Sequence, residues 1–134
     1  PVAAGPNGQQ ICLTQKDIRE IQLAKAAVRA GIETLLYQYG ISAEKVAEVY
    51  VAGGFGYRLD YEKAMTIGMF PKAFDGKIKA VGNSSLHGAA ELLLHRERIK
   101  EAQEVTALSE EISLSTDPVF QDAYIESMLF ETES

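Results

Sequence analysis

The chain has 134 residues, 46% hydrophobic and 24% charged, with a formal net charge of −6. That length and apolar content suit one globular domain with a core of its own. The acidic balance argues against nucleic acid or an anionic membrane as a main partner, although a local backbone site can still hold phosphate, and no apolar run approaches the roughly 18 residues of a spanning helix.

Residues 1–10 carry Pro1, Gly5, Pro6 and Gly8 and read as a flexible linker or lead-in, which leaves 11–134 for the fold. The opening lacks the basic start and apolar stretch of a signal peptide, and a first residue of Pro1 rather than Met suggests a piece of a longer protein. Cys12 is the one cysteine. Alone it makes neither an internal disulfide nor a cysteine-only metal or iron–sulfur site, and it fits a reducing, cytoplasmic setting.

Thr14, with Asp17 three positions on, starts a helix. Ile18, Ile21, Ala24 or Lys25, Val28, Ile32, Leu35, Leu36 and Tyr39 then recur at a helical period, and Gly40 closes the run, so a long helix is expected over 15–39. Lys16, Arg19 and Lys25 read as its solvated face. Ser42 caps a short turn through Lys45. Val49, Tyr50 and Val51 give a strand over 48–52, which Gly53, Gly54 and Gly56 end in a tight turn. Asp60 is the N-cap of a helix over 61–68, stopped by Gly68 and Pro71.

Asp75-Gly76 marks a turn before a second strand over 78–81. Gly82 breaks that strand, and Asn83, Ser84 and Ser85 cap a helix starting near 85 that carries Leu86, Ala89, Ala90, Leu93 and Leu94. A charged helical segment follows over 96–108, then a short edge strand over 111–115. Asp117-Pro118 opens a last helix whose apolar face is Phe120, Tyr124, Met128 and Leu129. Strands alternating with helices indicate an α/β layered domain with a small sheet.

The stretch 49–56 is the candidate site. A strand running into glycines and then a helix start lets the backbone approach a ligand closely and offers free N–H groups to an anion. The plainer alternative is a buried strand with a glycine turn and no ligand, because a short glycine motif is weak evidence alone. Phe55 can stack on a base or pack in the core; Arg58 and Asp60 can touch ribose or phosphate, or serve as surface pairing and capping. His87 and His95 are eight positions apart, too far for the i, i+4 pairing of a helical metal site.

The stretch QKDIREIQLAKAAVRAGIETLL, followed by VYVAGGFGYRLD, AMTIGMFP and VGNSSLHGAA, resembles the C-terminal region of the reductive activators of corrinoid proteins. These are ATP-dependent iron–sulfur proteins of anaerobes, and this region of them belongs to the actin, sugar-kinase and heat-shock-chaperone ATPase superfamily. The resemblance runs from about Cys12 to about Phe130 and includes STDPVFQDAYIESMLF near the end. It implies one lobe of an actin-like, ribonuclease H-like ATPase fold. Val49, Tyr50, Val51 and Ala52 would be the strand of the adenosine motif, and Gly53 and Gly54 its glycine pair, passing beside adenosine and α-phosphate. Phe55, Gly56, Asn83 and Ser84 complete the cofactor-binding set it implies, and Gly88-Ala89-Ala90 would let the following helix approach its neighbour.

The same resemblance implies ATP as the ligand, with Mg²⁺ and an iron–sulfur cluster in the parent protein. It implies a corrinoid protein and the upstream ATPase lobe as partners, and ATP-driven electron transfer from the cluster to cob(II)amide. The sequence departs from the pattern in lacking both phosphate loops and the cysteine cluster. No residue is therefore assigned a catalytic or metal-binding role, and the isolated chain is expected to be inert as an enzyme. Two alternatives stand beside this reading. One is a lobe of the related ATP-dependent dehydratase activator, whose motif order fits less well; the other is a non-catalytic interaction module docking through its long helix and acidic surface.

Overall fold

The computed structural model describes residues 2–130, apart from the side chain of Phe55. It begins with a hairpin in the expected lead-in: β1 (Ala3–Ala4) pairs antiparallel with β2 (Gln10–Ile11). The residues read as flexible supply its turn chemistry. Gly8 adopts φ 74°, its amide donates to Gly5 O at 3.0 Å, and the Gly5 amide donates to Gln9 O at 2.8 Å.

α1 (Gln15–Tyr39) follows, started by a reciprocal capping box. The Thr14 hydroxyl accepts from the Asp17 amide at 3.2 Å, and Asp17 Oδ2 accepts from the Thr14 amide at 2.8 Å. Gly40, left-handed at φ 74°, ends it. After a 3-10 turn at Ala43–Lys45 come β3 (Val49–Ala52), α2 (Gly53–Arg58) and α3 (Tyr61–Thr66). The expected glycine turn is thus a short helix joined directly to the strand. A 3-10 turn at Lys72–Phe74 leads to β4 (Ile78–Gly82), α4 (Ser84–Leu94), a 3-10 turn at Arg96–Arg98 and α5 (Ile99–Leu108).

The edge strand expected over 111–115 does not form. Leu114–Thr116 is a 3-10 turn, with the Asp117 amide donating to Leu114 O at 3.2 Å. Local hydrogen bonds of the serine-rich segment replace a sheet ladder there. α6 (Pro118–Glu126) starts as expected, with Asp117 Oδ1 accepting from the Val119 amide at 2.8 Å.

β3 and β4 are parallel, in the register Val49↔Ile78, Tyr50↔Lys79, Val51↔Ala80 and Ala52↔Gly82, with an irregularity after Val51. On the inner side of this pair, Ala64, Met69, Phe70 and Phe74 form a buried cluster joined by Ile32, Leu36, Val49, Val51 and Ile78. Tyr61 meets Phe70 edge-to-face at 6.3 Å.

α6 lies along α1, in which Ala26, Ala30 and Thr34 are buried. Lys25, expected on the solvated face, is 1% exposed. Its ammonium donates to Ser127 O at 2.6 Å and Leu129 O at 2.7 Å, and it lies 5.2 Å from the centroid of the Phe130 ring. The carbonyls it meets follow the C-terminal end of α6, where the helix dipole favours a cation. Hydrogen bonding to the cation offsets the cost of burying it.

Candidate functional site

Because Ala52 pairs with Gly82, β3 and β4 end side by side, and each continues into a helix. The C-terminal ends of parallel strands are where α/β sheets place ligands. The first-turn amides of α2 and α4 lack intrahelical acceptors, so they add donors and the positive end of the helix dipole on that side.

The three glycines of the motif do three different things. Gly53 has φ 90°, a conformation side chains disfavour, and it turns the strand directly into α2. Gly54 lies outside the left-handed region, is exposed, and a Cβ built on it meets nothing within 4 Å. Gly56 is buried, and a Cβ there would overlap Val51 Cγ1. Gly53 and Gly54 leave the main chain approachable, whereas Gly56 closes α2 down onto its own strand. Gly56, also expected to bind a cofactor, has a packing role of its own; its carbonyl accepts from the Tyr61 hydroxyl at 2.6 Å.

Asn83 and Ser84 reach the same edge through β4. Asn83 Oδ1 accepts from the Leu86 amide at 3.0 Å, which caps α4 and leaves the Asn83 side-chain amide as a donor. Ser84 is exposed at the first position of α4. Phe55 has its backbone in α2, and its side chain lies outside the described structure. Gly53, Gly54, Asn83 and Ser84 thus gather at one edge with an open main chain, which fits the close approach of a flat base or a phosphate.

Asp60 caps α3, accepting from the Lys63 amide at 3.1 Å and pairing with Lys63 Nζ at 2.7 Å. The hydrogen bond from Lys63 is the main reason its carboxyl is held below the usual aspartate range. His95 Nδ1 sits 3.2 Å from Glu97, and no cluster of three potential metal ligands occurs among the described residues. On the exposed face of the strand pair, Glu48 is bonded by both Lys79 and Tyr50. The Lys79 contact, then the Tyr50 contact, hold the Glu48 carboxyl low, and the carboxylate pushes the Tyr50 hydroxyl up. Neither this cluster nor the burial of Lys25 was anticipated. The place of Lys25 in the apolar series of α1 was the available signal for its burial.

The family model described as the C-terminal domain of RACo, the ASKHA domain, matches residues 2–134. The chain belongs to this family. A solved reductive activator for a corrinoid, iron–sulfur protein superposes on this ASKHA domain with a TM-score of 0.80 at 35% identity, covering 92% of this chain and 20% of that one. The corrinoid activation enzyme RamQ of Eubacterium limosum is 37% identical over 131 residues, which is 96% of this chain and 22% of that protein. The [Co(II) methylated amine-specific corrinoid protein] reductase of Methanosarcina barkeri is 30% identical over 135 residues, 96% of this chain and 25% of that protein. The ASKHA domain described here therefore spans a quarter or less of the length of these relatives, and its small parallel sheet packed with helices is a lobe of the actin-like class.

Proposed function

We propose that this chain is the adenosine-side lobe of the nucleotide site in an ATP-dependent reductive activator of a corrinoid protein. The carrying observation is the meeting of Ala52 with Gly82, which sets the approachable backbone of Gly53 and Gly54 beside Asn83 and Ser84. In this reading, Gly53 and Gly54 let adenosine and the α-phosphate lie against the main chain. The first-turn amides of α2 face the phosphate, and Asn83 and Ser84 offer donors from the neighbouring strand end. ATP with its Mg²⁺ would supply the free energy for reducing the cob(II)amide of a partner corrinoid protein by an iron–sulfur cluster held in the longer protein. The names of the relatives support a corrinoid protein as the eventual partner.

The test is Gly54→Val in the longer protein that carries this lobe, with ATP affinity measured by calorimetry and stability by thermal melting. The backbone at Gly54 tolerates a side chain and the space there is open, so the fold should persist. The valine branches would occupy the nucleotide's approach, and a loss of about tenfold in affinity corresponds to about 1.4 kcal/mol. Tenfold weaker binding or more, at an unchanged melting midpoint, supports the site. Unchanged affinity in a folded variant removes Gly54 from it.

A further inference from the structure

The chain has six tyrosines, and three of them have partners within the fold. Tyr61 meets Phe70 and donates to Gly56 O, Tyr124 stacks on Phe120 at 5.9 Å, and the Tyr50 hydroxyl is bonded to Glu48. Tyr37 and Tyr39 are exposed at the C-terminal end of α1. Tyr57 stands elsewhere, on α2, directly after the glycines of the candidate site. It is 74% exposed, and its ring has no ring partner among the described residues. Gly53 and Gly54 precede it by four and three positions, the spacing that puts helix residues on one face, about 5–6 Å apart. A helical side chain leans back over the preceding turn, so the Tyr57 ring borders the surface of those two glycines. It does not fill that surface, because a Cβ on either glycine would meet nothing within 4 Å. Gly56, one position earlier, is turned onto Val51 instead.

We propose that Tyr57 holds the nucleotide's base by stacking. This rests on the reading of this edge as the adenosine side of a nucleotide site. A single exposed tyrosine is ordinary on any protein surface. Here the ring shares a helix face with main chain that carries no side chain, and the space over that main chain is open. A flat ligand can lie on the bare peptide groups of Gly53 and Gly54 with the aromatic face beside it. A base gains from such a face and a phosphate does not, so Tyr57 favours a nucleotide over a bare polyphosphate. The contact needs no hydrogen bond to the base edge and is worth roughly five- to a hundredfold in affinity per base.

The experiment uses the longer protein that carries this lobe, with Tyr57→Phe, Tyr57→Leu and Tyr57→Ala made separately. ATP affinity is measured by calorimetry and the melting midpoint is followed for each variant. Because the side chain is exposed, all three should melt with the parent. Tyr57→Phe keeps the aromatic face and should bind ATP within about threefold of the parent, whereas Tyr57→Ala should bind roughly five- to a hundredfold more weakly, with Tyr57→Leu nearer to alanine than to phenylalanine. Parent-like affinity in folded Tyr57→Ala overturns the proposal. Recovery by leucine as full as by phenylalanine also overturns it, in favour of a general apolar contact, and a loss in Tyr57→Phe equal to that in alanine assigns the effect to the hydroxyl and overturns stacking. Gly54→Val, measured beside them, separates the two readings. A loss there with parent-like Tyr57→Ala sinks only the stacking, a loss in Tyr57→Ala with parent-like Gly54→Val sinks only the glycine approach, and a parent that binds no ATP sinks both.

Discussion

Replacing Gly54 and Gly56 by alanine, one at a time, isolates the packing of α2 on its strand. Both lie in the same six-residue helix, so both substitutions gain about the same helix propensity, roughly 1 kcal/mol. They differ in what the new methyl meets. At Gly54 it enters open space; at Gly56 it would overlap Val51 Cγ1 and lie 3.3 Å from Val51 Cβ and 3.5 Å from the Val51 carbonyl carbon. Rotating Val51 moves Cγ1 but not Cβ, and a β-branched side chain has few rotamers available. The helix must then shift from the strand, an overpacking cost of about 1–3 kcal/mol. Gly54→Ala should accordingly be at least as stable as the parent, and Gly56→Ala should fall below Gly54→Ala by about 1–3 kcal/mol. Urea unfolding of this chain, comparing midpoints at a common slope, measures the difference. Equal midpoints for the two variants would refute the claim that Gly56 serves packing.

Lys25→Ala should destabilise the fold by about 2–4 kcal/mol, since it removes a buried charged donor from the carbonyls of Ser127 and Leu129. A urea midpoint within error of the parent would show that water satisfies those carbonyls equally well. The pH dependence follows from the capping box. The Thr14 hydroxyl, then the Thr14 amide, hold the Asp17 carboxyl below its ordinary value of 3.8. A depressed folded value means that the stabilisation is fully present above 3.8 and is lost as pH falls through the lower folded value. Asp17→Asn should therefore flatten the acid limb of stability against pH, and an unchanged limb would assign acid sensitivity to other carboxylates.

Elements set by local chemistry were legible in the sequence. The Thr14–Asp17 box, Gly40, the Asp60 cap and Asp117-Pro118 each announce a helix end through hydrogen bonds made within a few residues, and each sits where the spacing placed it. The two strands were legible from their β-branched and apolar residues between turn signals, although the ladder that joins them is long-range. The failures have a common cause in tertiary context. Pro6 and Gly8 are as compatible with a loose tail as with a hairpin, and only the pairing of Ala3–Ala4 with Gln10–Ile11 decides between them. The segment 111–115 has strand-like alternation but finds no neighbouring strand to complete a ladder. Lys25 shared a helical stripe with small apolar residues, and charge outweighed position in assigning it to solvent.

The glycine motif shows where this limit falls within a single site. Spacing places Gly53, Gly54 and Gly56 together, and it cannot separate a residue needed for its φ from one needed for its missing Cβ. That distinction requires knowing what stands opposite each Cα: nothing at Gly53 and Gly54, and Val51 at Gly56. The same reasoning extends to α4. Periodicity identifies an apolar helix, but whether its partner lies in the same stretch of chain depends on surfaces hundreds of ångströms² in extent that a window of residues does not contain. Leu93 and Leu94 look like core residues in sequence and stand exposed in the fold, a distinction that composition and period do not carry.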